Sequence, residues 1–212
     1  MNLDFSNETV VNLTRDYLKD NLKIAYFDDI KKLPGEEHYY LLAALSMQIK
    51  EKKIIEIGTH TGRSALTLHY GNSKLDNNNV IFTYDIVNIL LPNIFDNTTI
   101  QFKLDNLLDI SIRENNKEHI LSADLIFIDI DPHEGILEYD MYQWLKNNNY
   151  KGLIIFDDIY LDEGHMGVYN GNSMKKFWGK IDEEYKIDLS KVGHKSGTGL
   201  VCFNFENYNI IL

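Results

Sequence analysis

The chain has few of the residues that cross-link, interrupt or anchor a fold. It holds one cysteine in 212 residues, Cys202, so no intramolecular disulfide can form. The apolar setting of that cysteine, Gly199-Leu-Val-Cys-Phe-Asn-Phe205, suits a buried and inert thiol. Three prolines occur, Pro34, Pro92 and Pro132, all at loop-like positions, and no proline-rich linker divides the chain. No run approaches the roughly 20 apolar residues of a membrane span. Met1-Asn-Leu-Asp-Phe-Ser-Asn-Glu8 lacks the basic start and apolar stretch of a signal peptide. Together with the lack of internal repeats, these absences lead us to expect one cytoplasmic domain over residues 1–212, a length that a single core can serve.

Positive charge is also scarce, with 21 Lys and Arg against 32 Asp and Glu and a net charge of -11. That balance opposes the counterion release that drives binding to phosphate backbones, and excludes nucleic acid as the expected partner. A small acceptor, uncharged or reached through a divalent metal, fits better. What is present is ordinary for a globular protein: 44% hydrophobic and 25% charged residues. Asparagines cluster at 77–79, 115–116 and 147–149, between apolar segments, where a side chain that tolerates turn geometry suits a loop.

Four short runs rich in β-branched or aromatic residues read as buried parallel strands: Lys53–Ile57, Val80–Tyr84, Asp124–Ile128 and Gly152–Phe156. Phe102–Asp105 reads as a further strand and Gly199–Phe205 as a late one, entered through the turn Ser196-Gly-Thr-Gly199. Helical spacing appears over Thr9–Leu22, Glu36–Lys50, Gly62–His69, Ile110–Leu121, Leu137–Leu145 and Met174–Glu184. Alternation of strand and helix predicts an α/β, doubly wound fold whose sheet is mostly parallel and closes on a C-terminal antiparallel hairpin. The helices within about residues 1–50 are expected to cover a cleft at the sheet edge. Three strands end on acids, Asp85, Asp129 and Asp157, and ligands of such sheets bind beyond the carboxyl ends of the strands.

The segment Glu56-Ile-Gly58-Thr-His-Thr-Gly62-Arg-Ser64 follows a strand and opens a helix, where glycines let the backbone turn tightly and come close to a ligand. A dinucleotide site wants Gly-x-Gly-x-x-Gly, whereas here the spacing is Gly-x-x-x-Gly and the strand ends on a carboxylate. A carboxylate there suits an ammonium, not a pyrophosphate.

In this loop the chain resembles the class I S-adenosylmethionine-dependent methyltransferases, whose first motif is an acid-x-Gly-x-x-x-Gly turn. The resemblance runs from Gly35 to Phe205 and implies a Rossmann-like methyltransferase sheet. It places Glu56, Gly58 and Gly62 beside the methionine part of S-adenosylmethionine, with Thr59 and Ser64 as further cofactor contacts. Asp85 falls where the family holds the ribose diol, and Asp105 near the adenine amine.

Phe127-Ile-Asp129-Ile-Asp131-Pro-His133-Glu-Gly135 and Phe156-Asp157-Asp158 end neighbouring strands and bring several carboxylates towards one pocket. Such hard oxygen donors suit magnesium, manganese or calcium. By alternation Asp129 and Asp131 point the same way, and either serves as donor. This pattern resembles the metal-dependent O-methyltransferases of small molecules and sugars. The resemblance selects Asp129, with Asp157 and Asp158, as ligands of magnesium or manganese, gives Asp129 a catalytic part, and makes His133 the general base. An imidazole titrates near neutral pH, as that role requires. Many relatives read Asp-x-Asp-His-Ser-Tyr-Glu, whereas here Pro132 precedes His133. His194 is expected at the substrate mouth without a catalytic part, and residues 162–172 as a mobile substrate loop.

The expected reaction is methyl transfer to a hydroxyl of a small molecule, sugar or glycan unit. A metal-independent methyltransferase, or a non-catalytic protein that keeps the fold, is the alternative. No Asn-Pro-Pro-Tyr motif supports base N-methylation, and no Tyr-x-x-x-Lys pair supports a nicotinamide oxidoreductase. A homodimer is expected.

Overall fold

A computed structural model describes residues 1–12, 36–74, 78–164 and 170–212. Its elements are β1 (Asn2–Asp4), α1 (Glu36–Gln48), β2 (Lys53–Ile57), α2 (Arg63–Lys74), β3 (Val80–Asp85), β4 (Gln101–Leu104), α3 (Ile110–Asn115), α4 (Lys117–Leu121), β5 (Leu125–Ile128), α5 (Ile136–Asn147), β6 (Leu153–Asp157), α6 (Met174–Lys180), β7 (Lys186–Asp188), β8 (Thr198–Cys202) and β9 (Asn209–Ile211). No helix among the described residues is long and apolar enough to cross a membrane.

Seven strands form one sheet in the order β4-β3-β2-β5-β6-β8-β7. The first five are mutually parallel, and β8 runs antiparallel to both β6 and β7. The expected doubly wound sheet with its closing hairpin is therefore observed. Strand order reverses direction between β2 and β5, which is where a crevice opens at the carboxyl edge. Register aligns that edge: Ile57 pairs with Tyr84 and with Ile128, and Ile128 pairs with Phe156. The residues that follow, Gly58, Asp85, Asp129 and Asp157, therefore emerge side by side.

Strand alternation sorts side chains onto two faces. Ile55, Ile57, Ile126, Ile128, Ile154 and Phe156 share a core with α5 and α6 residues such as Met141, Leu145 and Phe177. Ile54, Leu125, Phe127, Leu153 and Ile155 share the other core with Leu41, Leu42 and Leu45 of α1 and Leu68 of α2. By the same parity Glu56, Asp129 and Asp157 turn towards the α1 side. Helix α1 is buried on all sides from Leu41 to Met47, because the sheet, α2 and β1 surround it. That explains a run apolar from Leu41 to Met47 but for the buried Ser46.

Several elements differ from the sequence expectation for local reasons. The helix expected over Ile110–Leu121 is two helices, since the Asn116 side chain donates to the Ile112 carbonyl at 2.9 Å and breaks the helical run. The helix expected to reach Glu184 stops at Lys180, where Ile181 turns extended and buries its side chain in the core. Asn78 and Asn149 take left-handed φ values of 56°, as loop asparagines do. Asn79 instead is buried and joins three segments, accepting from Lys52 N at 2.9 Å and donating to the Ser46 and Ile49 carbonyls. Strands β1 and β9, unforeseen in the sequence, pair in parallel. The helix expected over Thr9–Leu22 is present over residues 7–12, and its remainder lies outside the described residues. Cys202 is buried and free.

Candidate cofactor and metal site

The turn after β2 is shaped by two glycines. Gly58 has φ +100°, and a Cβ there would lie 1.7 Å from the Asp129 carbonyl oxygen; Gly62 has φ +89°, and its Cβ would meet the Phe95 ring at 2.8 Å. Both glycines are thus required by the protein's own backbone and side chains, quite apart from any ligand. The Gly58 N–H donates to the Tyr84 carbonyl at 2.9 Å, which ties the turn to the end of β3.

A cavity of about 400 Å³ opens here, walled by Ile57, Gly58, His60, Tyr84, Asp85, Ile86, Asp105 and Asp129 among others. Asp85 accepts the His60 N–H at 2.7 Å on one oxygen and the Val87 N–H at 3.1 Å on the other. Each oxygen keeps a second lone pair. Asp105 accepts from Asn106 N at 2.9 Å and stands on the same wall. At the mouth, Ile86, Val87, Ile89 and Leu137 leave large apolar surfaces in water.

Not every residue of the first motif faces this cavity. Thr59 is buried, its hydroxyl 2.5 Å from that of Thr83. Thr83 in turn donates to Glu56. Glu56 is fully buried, and burial pushes its pKa up to about 7, with the Ser64 and Thr83 hydroxyls pulling the other way. Its Oε1 has no hydrogen-bond partner among the described residues. Glu56, Thr59, Gly62 and Ser64 therefore stand behind the cavity wall, and Gly58, Asp85 and Asp105 form it.

Beyond Asp129 the carboxylates converge. Donor atoms of His38, Asp129 and Asp157 lie within 4.8 Å of one another, as do those of Asp129, His133 and Asp158 and those of Asp157, Asp158 and His194. Each pair of the three expected aspartates thus meets beside a histidine, in three overlapping groups. The structure adds His38, from the first turn of α1, and His194, from the loop after β7. Asp131 stays at the rim, 3.1 Å from His133 Nε2; that nitrogen is also 3.3 Å from Asp158. His133 accordingly does aim into the cluster despite the preceding Pro132. Ser196 and His194 both contact Asp158, His194 at 3.1 Å.

Electrostatics follow from this crowding. Burial and the Asp157 and Asp158 charges hold the half-buried Asp129 well above the usual carboxylate range. Burial also acts against ionised Asp158, but hydrogen bonds from His194 and Ser196 and the nearby His133 bring it below that range. The Asp158 contact raises His194. Burial disfavours charge on His38, yet the Asp157 carboxylate beside it raises its pKa overall. Asp157 Oδ1 is buried without a hydrogen bond among the described residues. Three carboxylates, an unbonded buried oxygen and flanking imidazoles fit a divalent cation.

Sequence reading assigns no role to His38, His60 or Ser196. His60 sits inside the quoted motif and was within reach; nothing local marks His38, which only the packing of α1 brings to the cluster. Of the loop over residues 162–172, residues 165–169 lie outside the described residues. Its first residues are fastened to α6, by Asp162 to Lys175 at 3.1 Å and Glu163 to Lys176 at 3.4 Å.

No protein-family model matches the chain, and no curated protein sequence does. Solved structures do match. The O-methyltransferase TomG from Streptomyces achromogenes, in complex with SAM, superposes with TM-score 0.55 at 14% identity, over 93% of this chain and 90% of that one. An O-methyltransferase from Bacillus cereus in complex with SAH gives 0.51 at 18% identity, over 93% and 91%. MycE from the mycinamycin biosynthetic pathway, in complex with Mg, SAH and mycinamycin VI, gives 0.52 at 13% identity, over 91% of this chain and 54% of that one. The chain has the class I methyltransferase fold.

Proposed function

We propose that the protein is an S-adenosylmethionine-dependent O-methyltransferase acting on a hydroxyl of a small molecule or sugar unit, with a divalent cation in the aspartate cluster. The observation that carries this reading is one continuous sheet edge. A cavity with free carboxylate lone pairs at Asp85 and Asp105 runs into Asp129, and Asp129 belongs to the cation-type cluster as well. TomG with SAM, on the same fold, supports the cofactor, and MycE with Mg and SAH supports its pairing with a metal.

In this reading the two oxygens of Asp85 take the ribose diol and Asp105 the adenine amine, while Ile86, Val87 and Ile89 offer the base an apolar surface. Glu56 stands behind the Gly58 turn with one oxygen unbonded among the described residues, and a methionine ammonium in front of the turn would draw its raised pKa down and favour its ionised form. Bound S-adenosylmethionine supplies a methyl already activated on a sulfonium, and a divalent cation supplies positive charge that lowers the pKa of a hydroxyl. Asp129, Asp157 and Asp158 hold that cation.

The chain's remaining task is to hold the acceptor oxygen in line and remove its proton. His133 is the base. The carboxylates of Asp131 and Asp158, at 3.1 and 3.3 Å from its Nε2, orient the ring and stabilise the imidazolium formed when it takes the proton.

Calorimetric titration with S-adenosylmethionine and S-adenosylhomocysteine tests the reading, first with magnesium or manganese and then with chelator. Micromolar binding in both conditions is expected, because the cofactor contacts lie outside the cluster. No binding in either condition rejects the enzyme and leaves a non-catalytic protein on a methyltransferase fold.

A further inference from the structure

Three imidazoles border the aspartate cluster, and they are not equivalent. His133 is held between Asp131 and Asp158, and His194 is engaged with Asp158 and Ser196. His38 is different. It is 5% exposed, and neither ring nitrogen makes a hydrogen bond among the described residues. Its Nδ1 lies 3.3 Å from Asp157 Oδ1, itself a buried oxygen without a hydrogen bond. The ring is fixed by apolar and aromatic neighbours, with centroids 5.3 Å from Phe127 and 5.4 Å from Tyr39. The two buried groups thus face each other as an ion pair at 3.3 Å, while His38 Nε2 has no hydrogen bond among the described residues, so burial is only partly compensated.

We infer that the cation of this site is a first-row transition ion with the His38 imidazole in its coordination shell, and not an oxygen-only magnesium ion. The inference rests on the proposed reading of Asp129, Asp157 and Asp158 as cation ligands. It is carried by the donor set: His38, Asp129 and Asp157 present one nitrogen and two oxygens within 4.8 Å of one another. Magnesium takes oxygen ligands and keeps several waters, whereas manganese and iron accept imidazole beside carboxylate. A cation shared by Asp157 and His38 gives Asp157 Oδ1 and one His38 ring nitrogen a common partner, and its charge offsets the neighbouring Asp158 and Glu56 carboxylates. Among the described residues, a purely structural His38 would gain only the ion pair with Asp157.

The test uses the full chain with Mn²⁺ as probe. Stoichiometric Mn²⁺ binding is established first, then pulsed electron paramagnetic resonance on the unlabelled protein and on protein grown with ¹⁵N-histidine. The expected result is a ligand nitrogen coupling that changes with the isotope, requiring no substitution in the buried site. The same measurement on His38→Gln and His194→Gln assigns the ring, with thermal melts showing that each variant is folded. In His38→Gln the coupling disappears and Mn²⁺ affinity falls roughly 10- to 100-fold, while Mg²⁺ affinity changes much less. Mn²⁺ bound without nitrogen coupling overturns the inference and leaves the aspartate reading standing. Coupling that survives in His38→Gln and is lost in His194→Gln overturns the assignment to His38. No Mn²⁺ bound at all rejects the cation reading itself, and S-adenosylmethionine titration then decides separately whether the enzyme reading survives.

Discussion

Among single residues, Glu138 carries a cost that can be measured away from the site. It lies in the first turn of α5 at 2% exposure, with Oε1 unbonded among the described residues. Burial pushes its pKa up to about 7, and the Glu134 charge adds to this. A carboxyl whose folded-state pKa exceeds its unfolded value stabilises the native state at low pH and loses that contribution as pH rises through the folded pKa. Glu138→Gln is therefore expected to match the parent near pH 4 and to be more stable near pH 8, by up to roughly 3 kcal/mol, in urea denaturation at the two pH values. At the site, Asp157→Ala is expected to abolish metal-stimulated methyl transfer while leaving S-adenosylmethionine affinity within a few-fold. Asp85→Ala does the reverse, weakening the cofactor roughly 10- to 100-fold, as loss of charge-assisted hydrogen bonds implies; calorimetry with and without metal reads both. Equal loss of cofactor affinity in the two variants would show that the roles are not divided in this way. Asp85, Asp129 and Asp157 were legible because each closes an apolar strand run. His38 was not, because its position depends on how a distant helix packs.

At the level of elements, the turn between β2 and α2 joins the halves of the site. Gly58 meets the Asp129 backbone so closely that any side chain must push the end of β5 away. Gly58→Ala adds left-handed strain to that clash, and an expected loss of about 2–5 kcal/mol is read by thermal or urea unfolding. Stability within about 0.5 kcal/mol of the parent would mean that the two strand ends part easily. The strands themselves were readable from their apolar runs, since a parallel sheet buried on both faces needs them. Helix ends were less so: Asn116 and Ile181 stop helices through a side-chain hydrogen bond and a core contact that spacing alone does not encode. The three-residue strands β1 and β9 are too short to carry a period-two signal.

For the molecule as a whole, those two short strands bind the first residues of the chain to the last. Phe5 N–H donates to the Ile211 carbonyl at 2.7 Å, and Asp4 N–H to Gln48 of α1 at 2.6 Å. Leu3 and Phe5 are fully buried in the α1 core. Removing residues 209–212 is expected to uncover both, costing about 2–5 kcal/mol, with earlier proteolysis near the N-terminus as an independent readout. No change in either would make β9 an ornament of the edge. The cleft mouth carries a consequence of another kind. Ile86, Val87, Ile89 and Leu137 hold their apolar surface in water. Any molecule that covers them withdraws this surface, which lowers heat capacity. The enthalpy of filling the cleft therefore grows more negative with warming, whereas a small ion seated among the aspartates shields little apolar surface, so the slope of binding heat against temperature tells which half of the site has been filled.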